Sequence, residues 1–90
     1  MQFEWDPAKE VTNLLKHGVS FDEASTVFGD TLSVSGRDLE HSVSEARLVT
    51  IGLSSEGRVL IVCHTDRANV IRIYSARPAT RKEKKIYEEG

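Results

Sequence analysis

The sequence predicts an α+β fold, and three observations carry that prediction. Two stretches near the N-terminus repeat their apolar residues at helical spacing between recognisable caps. Four later stretches are short, rich in β-branched residues and separated by polar turns. A last stretch, "TRKEKKIYEE", opens on a capping box and carries a cluster of lysines. Together they predict two N-terminal helices packed on an antiparallel β-sheet with a C-terminal helix, the helices all on one face. Ninety residues with no repeat, low-complexity run or Pro/Gly/Ser linker make one domain, 1–90, near the size where core burial becomes marginal.

Taken in order, "FEW" is a short extended start. Asp6 and Pro7 supply an N-cap and a proline at the first helical position, Ala8, Val11, Leu14 and Leu15 recur at helical spacing, and Gly18 is placed to end the helix, giving helix one over 7–17. Ser20 and Glu23 stand at capping-box spacing, with Phe21, Ala24 and Phe28 on one face and Gly29 as the stop, giving helix two over 21–28. "TLSVS", "RLVTIGL", "RVLIVCHT" and "NVIRIYSA" then read as strands of a meander, with "SSEG" and "DRAN" as turns. Thr80 and Glu83 repeat the capping-box spacing and open a final helix over 80–89.

Several function classes are disfavoured at this stage. No apolar run is long enough to span a bilayer, and the N-terminus lacks the basic start and apolar core of a signal peptide, so a cytoplasmic protein is expected, without membrane association. Cys63, flanked by apolar residues, reads as a small buried thiol rather than a nucleophile. His17, His41 and His64 are too scattered to form a helical ligand pair, so neither metal nor other cofactor is expected, and there is no glycine-rich phosphate loop. The formal charge of −2 hides an uneven distribution: residues 1–57 carry 4 basic and 10 acidic side chains, residues 58–90 carry 8 and 4. An anionic partner is therefore met locally and not by general attraction.

"IRIYSARPATRKEKK" concentrates that basic half. Alternation puts Ile71 and Ile73 under the helices and Arg72 and Tyr74 on the open face. Arg77, five residues from Arg72, shares that face only if the strand ends or bulges near Pro78. Arg81 and Lys82 in the first turn of the last helix, with Glu88 and Glu89 in its last, reverse what the helix dipole favours, an arrangement suited to holding a phosphate. A solvated basic surface is the plainer reading of the same residues. Lys16 and His17 close helix one as a structural joint, or reach the open face and join a site there; Trp5 reads as a core anchor.

"FEWDPAKEVTNLLKHGVSFDEA", "HSVSEARLVTIG" and "IRIYSARPATRKEKKIYEE" resemble, in this order and over essentially the whole chain, the BrnT family of bacterial type II toxins. The words F-E-W-D, K-H-G-V-S-F-x-E-A and I-R-I-x-S-A-R-x-A-T-R-x-E carry the resemblance. It implies a RelE-like fold, ribonuclease activity, and a BrnA-type antitoxin that binds the toxin in a hetero-oligomer and represses their shared operon, so that operator DNA is met only through the antitoxin. Where relatives often carry a further cation after S-A-R, this chain has Pro78, which implies weaker activity.

RelE-like ribonucleases use the 2′-OH of the substrate as nucleophile, so the resemblance implies a base, an acid and cations rather than a metal. On that basis Arg72, Arg77 and Arg81 are expected to stabilise charge, and Lys82, Lys85 and Arg67 to bind the RNA backbone. Glu45 and His64 are the base candidates and Tyr87 a candidate acid or stacking residue, each also readable as structural. Arg47 reads as a site residue or as an ion-pair partner of Glu45, and Lys9 is expected to lie outside the site. An antitoxin is expected to cover the basic strand and the last helix. The competing class is a non-catalytic module that binds nucleic acid and antitoxin as a corepressor, using the same basic face.

Overall fold

The structure is a computed structural model that describes residues 1–37 and 47–90. The chain runs β1 (Gln2–Glu4), α1 (Pro7–His17), α2 (Phe21–Thr26), a 3₁₀ turn (Val27–Gly29), β2 (Val34–Arg37), β3 (Leu48–Leu53), β4 (Val59–Arg67), β5 (Val70–Pro78) and α3 (Arg81–Glu89). The five strands form one sheet in the order β1-β5-β4-β3-β2. β2 to β5 are the expected meander, but the sheet is mixed: β1 pairs with β5 in parallel, Gln2 opposite Val70 and Glu4 opposite Arg72. The three-residue start is thus an outer strand, and β5 lies inside the sheet along its first third, Val70 to Arg72.

The caps act as their residue types dictate. Asp6 accepts from the Ala8 N–H, Pro7 opens α1, and Gly18 closes it at φ 69°, a left-handed conformation that glycine adopts without a Cβ clash. Ser20 accepts from the Glu23 N–H, yet the Glu23 carboxylate does not complete a capping box. It is held instead by Arg58 and by the Ser54 hydroxyl at 2.7 Å, while Arg58 Nη2 donates to the Gly18 carbonyl at 3.0 Å. Arg58 holds the Glu23 carboxyl below its ordinary range and fastens the start of β4 to the joint between α1 and α2. Helix two is shorter than its pattern suggests, because its last turn tightens to 3₁₀ and delivers Val27 to the core.

The main core lies between α2 and the sheet, where Val19, Phe21, Ala24 and Val27 meet Leu60, Val62, Ile71, Ile73 and Ala76, with Phe3, Trp5 and Phe28 packed beside them. Trp5 meets Phe21 edge-on at 5.9 Å, a core anchor as expected. The 3₁₀ turn sits directly on β3: a Cβ on Gly52 would lie 2.7 Å from Val27 Cγ1, so no larger residue fits there.

The third helix departs from the expected one-sided layer. Register places Val34, Ile51, Ile61 and Arg77 in one row across β2, β3, β4 and β5, on the face away from Leu60 and Val62. α3 follows this row: its first turn is tied to Arg77 through Glu83, and at its end a Cβ on Gly90 would meet Val34 Cγ2 at 3.1 Å. Ile61 is accordingly buried although it faces away from the main core. Helices therefore cover both faces, and β4 is apolar without interruption from Val59 to Cys63, where it is covered on both sides.

Candidate functional site

Beyond Arg72, β5 keeps β4 on one side but, among the described residues, has no strand on the other, because β1 has ended, and α1 lies along that edge instead. Asn13 on α1 acts as a side-chain substitute for the missing strand. Its amide accepts from the Ala76 N–H at 3.1 Å, donates to the Ala76 carbonyl at 2.8 Å and donates to the Val19 carbonyl at 2.9 Å. Between Arg72 and Ala76 the ladder shifts: Cys63 faces Ser75 and His64 faces Ile73, leaving Tyr74 as the extra residue of a bulge. The bulge resets the alternation, so Ile71, Ile73 and Ala76 point to the core while Arg72, Tyr74 and Arg77 share the other face. That is the condition under which Arg77 was expected there, met at Tyr74 rather than near Pro78.

Tyr74 is surrounded by cations. Arg47 Cζ stands 4.3 Å from the ring centroid, Lys9 Nζ 5.2 Å and Arg72 Cζ 5.9 Å, while Thr65 Oγ1 lies 3.3 Å from the phenol oxygen. Arg72 also approaches Glu4 at 3.4 Å. On its α1 side, Tyr74 forms one wall of a groove of about 330 Å³ lined further by Lys9, Thr12, Lys16, His17 and Ser75. Three cations, from α1, from β5 and from the residue before β3, thus converge on one aromatic ring at the mouth of a groove carrying a further lysine and an imidazole. Such a combination suits a phosphate with an adjoining base.

Among the residues expected in a site, Arg47, Arg72 and Lys16 come together here. The others lie elsewhere. Arg77 is held by Glu83 in a two-point ion pair of 2.7 and 2.8 Å, which drives the Glu83 carboxyl down to about 2. Arg81, Lys82 and Lys85 are exposed on α3 and do not line the groove. Arg67 is exposed at the β4–β5 turn. Tyr87 donates to Asp30 at 2.6 Å, and the same carboxylate accepts from the Leu53 N–H at 2.8 Å, so the phenol fixes α3 to the loop before β2. His64 is 2% exposed on the core face. Its ring contacts Asp66 at 2.7 Å, Thr50 at 2.7 Å and the edge of Phe28, and burial lowers its pKa. Glu45 lies outside the described residues. Among the described residues, no three His, Cys, Asp or Glu side chains gather into a metal-binding group.

Lys9, expected outside any site, is part of the cluster. Its position was readable: Lys9 and Lys16 are seven residues apart, two turns on the same side of a helix. Facing, however, cannot be read from spacing, since it depends on which side of α1 meets β5.

Three comparisons bear on this geometry. The model of a family described as "Ribonuclease toxin, BrnT, of type II toxin-antitoxin system" matches residues 5–83. The fold is similar to the crystal structure of the Brucella abortus ribonuclease toxin BrnT, with a TM-score of 0.65 and 21% identity over 90% of this chain and 99% of that one. No curated protein matches the chain.

Proposed function

The chain belongs to the BrnT family of ribonuclease toxins of type II toxin–antitoxin systems, and from that membership we propose that it cleaves RNA in the groove between α1 and β5. The observation that carries the placement is the convergence of Lys9, Arg47 and Arg72 on Tyr74 beside Lys16 and His17. In the proposed reaction the substrate's own 2′-oxygen attacks the adjacent phosphorus. The 2′-O–P bond forms, the P–O5′ bond breaks, one proton leaves the 2′-OH and one reaches the departing 5′-oxygen. Arg47 and Arg72 stabilise the negative charge that accumulates on phosphorus, where preorganised donors contribute most. Lys9 and Lys16 hold the flanking phosphates, and His17 is the proton-transfer group. The chemistry requires no metal, in keeping with a RelE-like toxin.

The resemblance further supports a BrnA-type antitoxin that binds the toxin in a hetero-oligomer and carries the complex to operator DNA. The deciding experiment incubates the purified protein with a defined RNA in EDTA and identifies the new ends. Products with 2′,3′-cyclic phosphate and 5′-hydroxyl ends are expected. Cleavage that disappears on chelation, or that leaves 5′-phosphates, would sink this mechanism. RNA binding with no cleavage in either buffer would support the corepressor module instead.

A further inference from the structure

α1 is turned inside out relative to its apolar pattern. Asn13 is the residue it buries, while Val11, Leu14 and Leu15 are 60%, 49% and 84% exposed. At about 100° per residue, these three fall within an arc of about 100° on the side of the helix away from Asn13. Single exposed leucines are ordinary, but a contiguous apolar face on a helix that buries one polar residue marks a surface awaiting a partner. On the groove side this face is followed by Ala8 and Thr12 and then by Lys16 and Lys9, all four of which line the groove. The acid in α1, Glu10, is engaged elsewhere, accepting from the Phe21 N–H at 3.0 Å.

These features select the occupant. Spacing of i, i+3 and i+4 matches the ridges of a second helix. A second copy of this chain would bring two Lys9/Lys16 flanks toward each other, whereas a partner that reaches past Thr12 with acids is attracted. Membership in a toxin–antitoxin family supplies the existence of a partner. We propose that the Val11/Leu14/Leu15 face of α1 is the docking surface of the antitoxin, which meets it with an amphipathic helix, apolar on one side and acidic where it reaches Lys9 and Lys16. Because those lysines are also a wall of the groove, the docked helix covers the groove and neutralises the toxin by occlusion. The occlusion step rests on the groove being the RNA site; the docking step does not.

The test is the double substitution Val11→Glu/Leu15→Glu, which touches neither the groove nor the core. Circular dichroism, the urea midpoint and RNA cleavage without antitoxin are expected to match the parent within about twofold. Affinity for the antitoxin, co-expressed from the adjoining reading frame and measured by calorimetry, is expected to fall by about 10²-fold or more, the scale of a lost hot spot. Hydrogen exchange of the parental complex should show protection across residues 8–16. Affinity within threefold of the parent, protection absent from α1, or no complex at all overturns the docking proposal. Self-association of the parent that the double substitution abolishes overturns it in favour of a second copy. A parent that binds with α1 protected but never cleaves RNA leaves the docking standing and removes the ribonuclease reading. A protected complex that still cleaves overturns occlusion.

Discussion

Arg77 and Glu83 form a two-point ion pair, Nη1 to Oε1 at 2.7 Å and Nη2 to Oε2 at 2.8 Å, that clasps the end of β5 to the first turn of α3. Glu83 also accepts from the Thr80 N–H at 2.9 Å, so one carboxylate serves both the clasp and the capping box. Its pKa falls from 4.5 to about 2, first because of Arg77. A depressed carboxyl stabilises the fold above its unfolded value and loses that contribution as pH falls through the folded one. The nominal ~3 kcal/mol at 1.36 per unit must be reduced, since the Arg77 side chain is 40% exposed and solvent screens it, leaving about 1–2 kcal/mol. Glu83→Gln should lower urea stability by that amount at pH 7. The difference from the parent should fade as pH drops from 4.5 toward 2; a gap that stays constant with pH would remove the ion pair as its cause.

Asn13 should be among the least replaceable residues in the chain. It is 6% exposed and pairs with three backbone groups that have no water to turn to. Asn13→Ala strands the Ala76 N–H and two carbonyls, at a cost of about 2–4 kcal/mol. Asn13→Asp should be as damaging, because an ionised oxygen would face the carbonyls of Val19 and Ala76. Urea unfolding reads both, and a loss under about 1 kcal/mol would show that the edge of β5 is held by other contacts.

How much of this was legible follows from the range of each interaction. Asp6–Pro7, Gly18, Ser20 and Thr80–Glu83 act within a few residues of themselves, and the helix boundaries they imply agree with the fold. The strands β3 to β5 are long enough for composition to reveal them. By contrast, β1 is three residues whose pairing partner lies nearly seventy positions away. The bulge at Tyr74 has no glycine or proline to mark it, yet it decides which side Arg77 takes. The apolar spacing of α1 announced a helix and pointed to the wrong face, because the residue that fastens α1 is Asn13. Clustering of Lys9, Arg47 and Arg72 around Tyr74 depends on all of these at once, so spacing alone could name some members and not their meeting place.

His64 gives the fold a second pH dependence. Asp66, when ionised, only accepts, so Nδ1 carries the proton, Nε2 accepts from Thr50, and Thr50 in turn accepts from Ser35 at 2.7 Å. Burial lowers the histidine's pKa from 6.5 more than the half-exposed Asp66 raises it. The unfolded chain therefore takes up a proton that the native state resists, so stability is full above 6.5 and declines as pH falls below it. Urea midpoints measured from pH 7.5 to 5 should fall for the parent and fall less steeply for His64→Gln. The slope is the readout, since the substitution lowers absolute stability by itself. Parallel curves would assign the pH dependence to another group.

The two basic clusters make opposite predictions about where RNA is cut. Around Tyr74, Arg47 just before β3 and Arg72 on β5 approach the ring with Lys9 across from them, and this arrangement is held by the bulge and by α1 before any substrate arrives. On α3, Arg77 is engaged by Glu83, and Arg81, Lys82 and Lys85 extend into solvent. Transition-state stabilisation comes from donors fixed in advance, and removing one costs about 10²-fold or more. Mobile lysines supply affinity that declines smoothly with each charge removed and with salt. Arg72→Ala should therefore reduce kcat/KM by about 10²-fold at an unchanged urea midpoint, largely through kcat, with Tyr74→Ala close behind and Tyr74→Phe nearly silent. Arg81→Ala and Lys85→Ala should cost less than about tenfold, mostly in KM, and the loss should shrink as salt is raised. The reverse pattern, a deep loss in kcat at Arg81 with Arg72→Ala near the parent, would move the reacting phosphate to the N-terminus of α3 and leave the groove as a binding surface.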